Sequence, residues 1–317
     1  MGEGRTAPPL LVIAGATATG KTGLSIEVAT SLQADGVPAE IVSADSRQVF
    51  RGLDIGTAKA PIAARAGIPH HGLDLVDPDD AFSVVDYVRH AREALAGIAS
   101  RGGIAILVGG TGLYLRAIAR GLDAEALPFD REVRERIEAG LARDGLEPAV
   151  ARLRELAPTL ASRIDLANPR RVARALEIAE LRGDVAPPPA LGYPGAVAWV
   201  GLRVAPATHR EWIANRAREQ FDAGLVEEAR ALRERFDPAL PAFSAIGYRE
   251  SWAVIDGTST REQAIELDAR RNVAFAKRQA TWFRSESAVE WLDAGPPNAP
   301  EVRDRVLAVA RGLAAAA

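Results

Sequence analysis

Cysteine is absent from the 317-residue chain, which excludes disulfides and thiolate metal sites. That suits a reducing compartment, and a cytoplasmic location is the expectation. Histidine is scarce too, with four residues, and no spacing among them suggests a zinc site. No stretch approaches the ~20 consecutive apolar residues that a membrane-crossing helix needs, so no membrane partner is expected. Lysine stands only at Lys21, Lys59 and Lys277, while arginine is abundant. This reads as composition bias, and it makes each lysine worth attention. Net charge is −3, so contact with nucleic acid has to come from a local basic cluster.

What is present is an ordinary globular composition, 48% hydrophobic and 26% charged. At ~150 residues per domain the length suggests two domains. The opening Met1-Gly2-Glu3-Gly4-Arg5-Thr6 fits a myristoylation pattern but lacks a second anchoring signal, and we read it as a chance match.

Leu10 to Ala14 is a short apolar run leading straight into Gly15, and Leu24, Val28 and Leu32 then recur at helical spacing. Strand, glycine loop and helix follow in that order. Ile41 to Ala44 and Ile104 to Val108 look like parallel strands buried on both faces. Phe82 to Ser100 reads as a helix between them, and Val197 to Val204 and Val289 to Leu292 are later strands. These predict an α/β core with a doubly wound parallel sheet, built from residues 1–119 and 190–317. Residues 120–189 carry no strand signal and read as an all-helical insertion. Its clearest helix has Asn168 as N-cap, Pro169 in the first turn and Gly183 beyond the end. Ala186-Pro-Pro-Pro189 is a stiff exit linker.

Gly15, Ala16, Thr17, Ala18, Thr19, Gly20, Lys21 and Thr22 match Gly-x4-Gly-Lys-Thr, the P-loop signature of nucleotide-binding proteins, in its proper strand-loop-helix setting. Such a loop aims backbone N–H groups at phosphate oxygens at the positive end of a helix. Lys21 adds charge, and the Thr22 hydroxyl can hold Mg²⁺. The apolar strand Ile104 to Val108 ends in Gly109-Gly110-Thr111-Gly112, without the carboxylate of motor-type NTPases. Ile41 to Ala44 ends in Asp45, which three roles fit: metal partner, general base or helix cap. We favour the base, because Thr111 would bring a hydroxyl to the same crevice beyond the strand ends.

Taken in order, these motifs resemble the tRNA dimethylallyltransferases. The resemblance runs from Gly15 to Asp293: the P-loop, Ser43-Ala-Asp-Ser-Arg-Gln-Val-Phe-Arg-Gly-Leu-Asp-Ile-Gly-Thr-Ala-Lys59, Pro69-His-His and Val108-Gly-Gly-Thr-Gly-Leu-Tyr114. It continues with Arg171-Val-Ala-Arg-Ala-Leu-Glu177, Gly224-Leu-Val-Glu-Glu228, Ala245-Ile-Gly-Tyr-Arg249 and Lys277-Arg-Gln-Ala-Thr-Trp-Phe-Arg284. The resemblance implies transfer of a dimethylallyl group from dimethylallyl diphosphate to N6 of the adenosine 3′ of a tRNA anticodon. The P-loop and Arg216 would then hold the leaving diphosphate with Mg²⁺ at Thr22. Asp45 would take the proton from N6 and Thr111 orient the amine. The partner would be the tRNA anticodon stem-loop, met by Asp45, Ser46, Arg47 and Gln48, by Arg170, Arg171 and Arg174, and by Gly247, Tyr248 and Arg249. No obligate protein partner is implied, and a monomer is expected.

The chain departs from the family pattern at Arg170 and Ser244, which puts single tRNA contacts in question, and at Phe50 and Ala16, which do not touch the chemistry. From the residues alone, Arg170, Arg171 and Arg174 are equally a solvated face. A second basic stripe, Arg270, Lys277 and Arg284 with Arg271 and Arg278 beside it, follows the capping box Thr260-x-x-Gln263. Phe275 and Trp282 on that helix read as core contacts, and His70 and His71 as structural. The rival enzymes are a P-loop kinase with Asp45 as base and an adenylate isopentenyltransferase acting on free nucleotides; a non-enzymatic rival is an NTP-dependent RNA-binding switch.

Overall fold

The computed structural model describes residues 7–123, 126, 128–186, 188–295 and 299–316. The opening hexapeptide and Pro187 of the exit linker therefore lie outside the described residues. The chain divides into two compact units, Met1–Gly121 with Gly192–Ala317, and Leu122–Leu191.

The larger unit is built on a parallel six-stranded sheet ordered β3-β2-β4-β1-β5-β6. Its strands are β1 (Leu10–Gly15), β2 (Ala39–Ser43), β3 (His70–His71), β4 (Ile104–Gly109), β5 (Val197–Arg203) and β6 (Val289–Asp293). β1 lies between β4 and β5, with Val12 paired to Leu107 on one side and Trp199 on the other. All six of its residues are buried, as expected of a parallel strand covered on both faces. Leu11 and Ile13 join a core with Leu24, Val28, Ile106, Val306 and Leu307, from α1 (Lys21–Ala34) and α12 (Pro300–Ala315) among others. Alternate residues of β1 face the other way. α2 (Val84–Ser100), α3 (Gly112–Ala119) and α11 (Arg261–Phe283) also pack on the strands. α2 starts two residues later than expected, because Ser83 forms a capping box with Asp86.

β3 was not anticipated as a strand. Its two residues pair with Ile41 and Val42, and His71 Nε2 lies 2.7 Å from Glu40 Oε2, consistent with a structural role. The larger unit also holds α8 (Pro206–Asp222), α9 (Leu225–Arg233) and α10 (Tyr248–Ile255). They bury Phe221, Leu225, Phe243, Tyr248 and Trp252 around Val49, Phe50 and Leu53. Glu228 on α9 fastens the Asp54 to Gly56 turn, accepting the N–H of Ile55 at 2.8 Å and those of its two neighbours at 3.2 Å.

The smaller unit holds α4 (Arg131–Asp144), α5 (Leu146–Leu156), α6 (Pro158–Arg163) and α7 (Pro169–Arg182). Asn168 caps α7 by accepting the N–H groups of Arg170 and Arg171. The core is Leu153, Leu160, Val172, Leu176 and their neighbours. Into it α7 sends Glu177, whose carboxylate is paired with Arg134 and Arg174. The division falls at Gly121 and Gly192, where Gly192 N–H donates to Arg120 O at 3.0 Å.

Candidate functional site

The strand order reverses between β1 and β4, and a crevice opens there beyond the carboxyl ends of the strands. A cavity of about 280 Å³ lies at this place, lined by Thr17 to Gly23, Asp45, Gln48, Gly109, Gly110, Arg216, Phe275 and Gln279. The loop after β1 needs unusual backbone angles. Gly15 has φ +151°, and a Cβ there would meet Leu202 O at 2.7 Å. Ala18 stands at φ +58°, a left-handed conformation that a non-glycine residue adopts only when its surroundings hold it there. Gly20, also left-handed, is the N-cap of α1.

The hold on this loop comes from three side chains that converge on Thr17. Arg216 donates to Thr17 Oγ1 at 2.8 Å, His209 Nε2 lies 2.8 Å from Thr17 O, and Thr17 N–H donates to Gln279 Oε1 at 2.8 Å. Arg216, expected from the resemblance near the diphosphate, lies in hydrogen-bond contact with the loop at Thr17. Gln279 and His209 had no assigned role in the sequence. Gln279 had a signal: Ala276, Gln279 and Phe283 share the buried stripe of α11, where an amide needs partners. His209, near the start of α8, had none.

Lys21 is buried, and its ammonium donates to Ala16 O at 2.5 Å. Burial, and next the Arg216 charge, bring its pKa down to about 7, while Asp45 pulls it back up. Burial likewise lowers the Arg216 pKa, against the pull of Asp45, Asp268 and Glu219. Two basic side chains crowded at one loop favour an anion, which would draw Lys21 into its charged form.

Asp45 stands two residues past the end of β2. Its Oδ1 accepts the N–H of Arg47 at 2.8 Å, so the carboxylate does cap a turn, and it also lines the cavity. Thr111 is the N-cap of α3, just past β4. Its N–H donates to Ala44 O at 3.1 Å, and its Oγ1 accepts the N–H of Ser46 at 3.0 Å. The ends of β2 and β4 are therefore stitched together on both sides of Asp45. Close approach requires glycine at 109, where a Cβ would run into the Ala44 backbone.

The other expected contact residues separate into exposed and internal groups. Arg170, Arg171 and Arg249 are exposed. Arg174, partly exposed, instead donates to Pro128 O at 2.7 Å and to buried Glu177 at 2.6 Å, so the expected basic trio is an exposed pair and a third arginine tied to a buried carboxylate. Gly247 and Tyr248 are buried, with the Tyr248 hydroxyl donating to Glu228 at 2.8 Å, which corrects their reading as RNA contacts. Gln48 spends its amide on Ser43, Thr57 and Ala58, and Arg47 reaches Pro241 O at 2.9 Å. On α11 the stripe of Arg270, Lys277 and Arg284 is exposed, but Arg271 pairs with buried Glu250. Phe275 is a second correction: it is 37% exposed and lines the cavity instead of filling the core.

Among the described residues no group of three or more His, Cys, Asp or Glu is placed to hold a metal ion, and no helix is long and apolar enough to cross a membrane. The Thr22 hydroxyl, on the cavity wall beside Lys21, suits Mg²⁺, which takes few protein ligands and draws others from substrate phosphates and water.

Residues 48–286 match the family model described as IPP transferase. The chain is 41% identical to the tRNA dimethylallyltransferase of Roseiflexus castenholzii, over 96% of this chain and 97% of that one. Its identity to that of Anaeromyxobacter dehalogenans is 42%, over 93% and 98%. Among solved structures, the tRNA isopentenylpyrophosphate transferase of Bacillus halodurans superposes with a TM-score of 0.70 at 34% identity, covering 96% of each chain. A eukaryotic dimethylallyltransferase acting on tRNA shares the fold, with a TM-score of 0.77 at 24% identity over 96% of this chain and 79% of that one.

Proposed function

The chain belongs to the IPP transferase family, so it is an enzyme that transfers a dimethylallyl group to tRNA, and we propose that the cavity at the P-loop is where transfer takes place. The observation that carries this reading is one cavity lined by both a phosphate loop and the strand-end carboxylate Asp45. The donor is dimethylallyl diphosphate. Its diphosphate lies on the N–H groups from Ala18 to Thr22, with the Lys21 and Arg216 charges beside it. The acceptor is the N6 amine of the adenosine 3′-adjacent to the anticodon, extruded from its loop into the cavity.

The donor's carbon–oxygen bond breaks, the electron pair leaves on the diphosphate, and a bond forms between that carbon and N6. The N6 proton passes to the Asp45 carboxylate. Thr111 orients the amine through the strand-end framework that it shares with Ser46. The Thr22 hydroxyl would hold Mg²⁺, which would supply further charge neutralisation for the diphosphate. The helical unit from Leu122 to Leu191 is the insertion that meets the RNA, with Arg170 and Arg171 as phosphate contacts and Arg249 adding one from the larger unit. The protein acts as a monomer in the cytoplasm.

The test mixes the protein with Mg²⁺, labelled dimethylallyl diphosphate and unmodified tRNA. Label in the adenosine beside the anticodon is expected. Folded protein that leaves a competent tRNA unlabelled overturns the reading.

A further inference from the structure

One side chain touches both halves of the site. Gln279 is 8% exposed, on the buried stripe of α11, and lines the cavity. Its Oε1 accepts the Thr17 N–H at 2.8 Å, and its Nε2 donates to Gly110 O at 2.9 Å. Thr17 belongs to the phosphate loop. Gly110 immediately precedes Thr111, whose hydroxyl holds the Ser46 N–H next to Asp45. The fit leaves no slack, since a Cβ on Gly110 would collide with the Gln279 amide.

We propose that Gln279 is a positioning residue that sets the distance between the donor's diphosphate and the acceptor amine, by locking the phosphate loop to the strand end that carries Thr111. This deepens the functional reading above and rests on it. Three observations make the lock more than packing. Ala18, one residue beyond Thr17, stands in a left-handed conformation that its neighbours must enforce. Thr17 has its N–H, its carbonyl and its hydroxyl each met by a different side chain. Of those three, Gln279 is the one that also bonds the β4 end. Alkyl transfer to nitrogen needs the two reacting atoms at near-attack separation, where an error of about 1 Å costs on the order of 10²-fold in rate. A single amide bonded to both supports fixes that separation.

The position has a built-in test, because Gln279 acts through Gly110 and Thr111. Losses from Gln279→Met and Thr111→Val should therefore not multiply. The experiment measures kcat and donor KM for transfer to tRNA in wild type, the two single variants and the double variant, alongside melting curves and inorganic diphosphate binding. Gln279→Met is expected to stay folded and to lose about 10-fold or more in kcat. The double variant should fall no more than about threefold below Thr111→Val, the non-additivity that marks shared action. If Gln279→Met does not fold, Gln279→Glu takes its place in the same cycle, since it keeps an acceptor for the Thr17 N–H and loses the donor to Gly110 O. A Gln279 variant within twofold of wild type, or losses that multiply, overturns the proposal. Wild-type protein that transfers nothing overturns the functional reading instead.

Discussion

The backbone N–H of Ser46 donates to the hydroxyl of Thr111 at 3.0 Å, across the ends of two neighbouring strands. Asp45 is thereby held between a strand end and a turn that its own Oδ1 caps at Arg47. The cap allows a clean separation of chemistry from structure. Asp45→Asn keeps an oxygen to accept the Arg47 N–H and loses the ability to take a proton. Transfer should fall by about 10²–10⁴-fold, while inorganic diphosphate still binds and the melting curve barely moves. Steady-state kinetics with calorimetric titration reads this, and turnover near the wild-type rate would remove Asp45 from the role of base.

Lys21 gives the free protein a pH signature. With its pKa near 7, the ammonium is mostly neutral at pH 8, and a bound diphosphate restores the charged form by drawing in a proton. At pH 6 the lysine is already charged and needs none. Proton uptake on diphosphate binding, measured by calorimetry in buffers of different ionisation heat, should be larger for wild type than for Lys21→Met at pH 8. The difference should shrink towards zero at pH 6. Equal uptake at pH 8 would mean that Lys21 is charged before the ligand arrives.

The arginines of α7 should behave as two classes. Arg170 and Arg171 are exposed, so replacing either by Ala should weaken tRNA binding and lower the salt dependence by roughly 0.7–0.9 per lost phosphate contact. Arg174 is bound into Glu177, a wholly buried carboxylate. Arg174→Ala should destabilise the helical unit by about 1–3 kcal/mol, the cost of under-satisfying a buried polar group. Filter binding at several salt concentrations, paired with thermal melts, separates the two. A pure affinity loss for Arg174→Ala would return it to the surface.

The same contrast shows how much of the molecule was legible in the sequence. Strands that are apolar throughout, such as β1 and β4, announce themselves because both faces are buried. The loop between β1 and α1 does so because its glycines stand where backbone must approach phosphate. Asp45 was singled out by its place after an apolar run and Arg216 by the family resemblance, and both line the cavity. Tyr248 did not, because a motif residue looks the same whether it reads a ligand or braces the frame; its burial and its bond to Glu228 decide for the frame. Tyr248→Phe should cost about 1 kcal/mol of stability and leave tRNA affinity unchanged, as melts and binding together would reveal. Gln279 and β3 stayed hidden for another reason. Each is defined by partners far away in sequence, 262 residues in the case of Gln279 and Thr17, and no local pattern encodes such a meeting.

Asp268 shows what burial costs this site. The residue is 1% exposed on α11. Burial, and next the Glu250 charge, push its carboxyl up to about 6, although Asn272, Arg216 and Arg271 all favour the ionised form. Because the folded pKa lies above the ordinary value of 3.8, the folded state keeps a proton between those two values that the unfolded chain has released. Stability from this group is therefore present at low pH and lost as pH rises through about 6. Asp268→Asn is neutral throughout and keeps an oxygen for the bond from Asn272 Nδ2. The variant should melt higher than wild type at pH 7.5, with a smaller advantage at pH 5. An advantage independent of pH, or a variant that melts lower at pH 7.5, would show that the charged carboxylate is worth more to Arg216 and Arg271 than its burial costs.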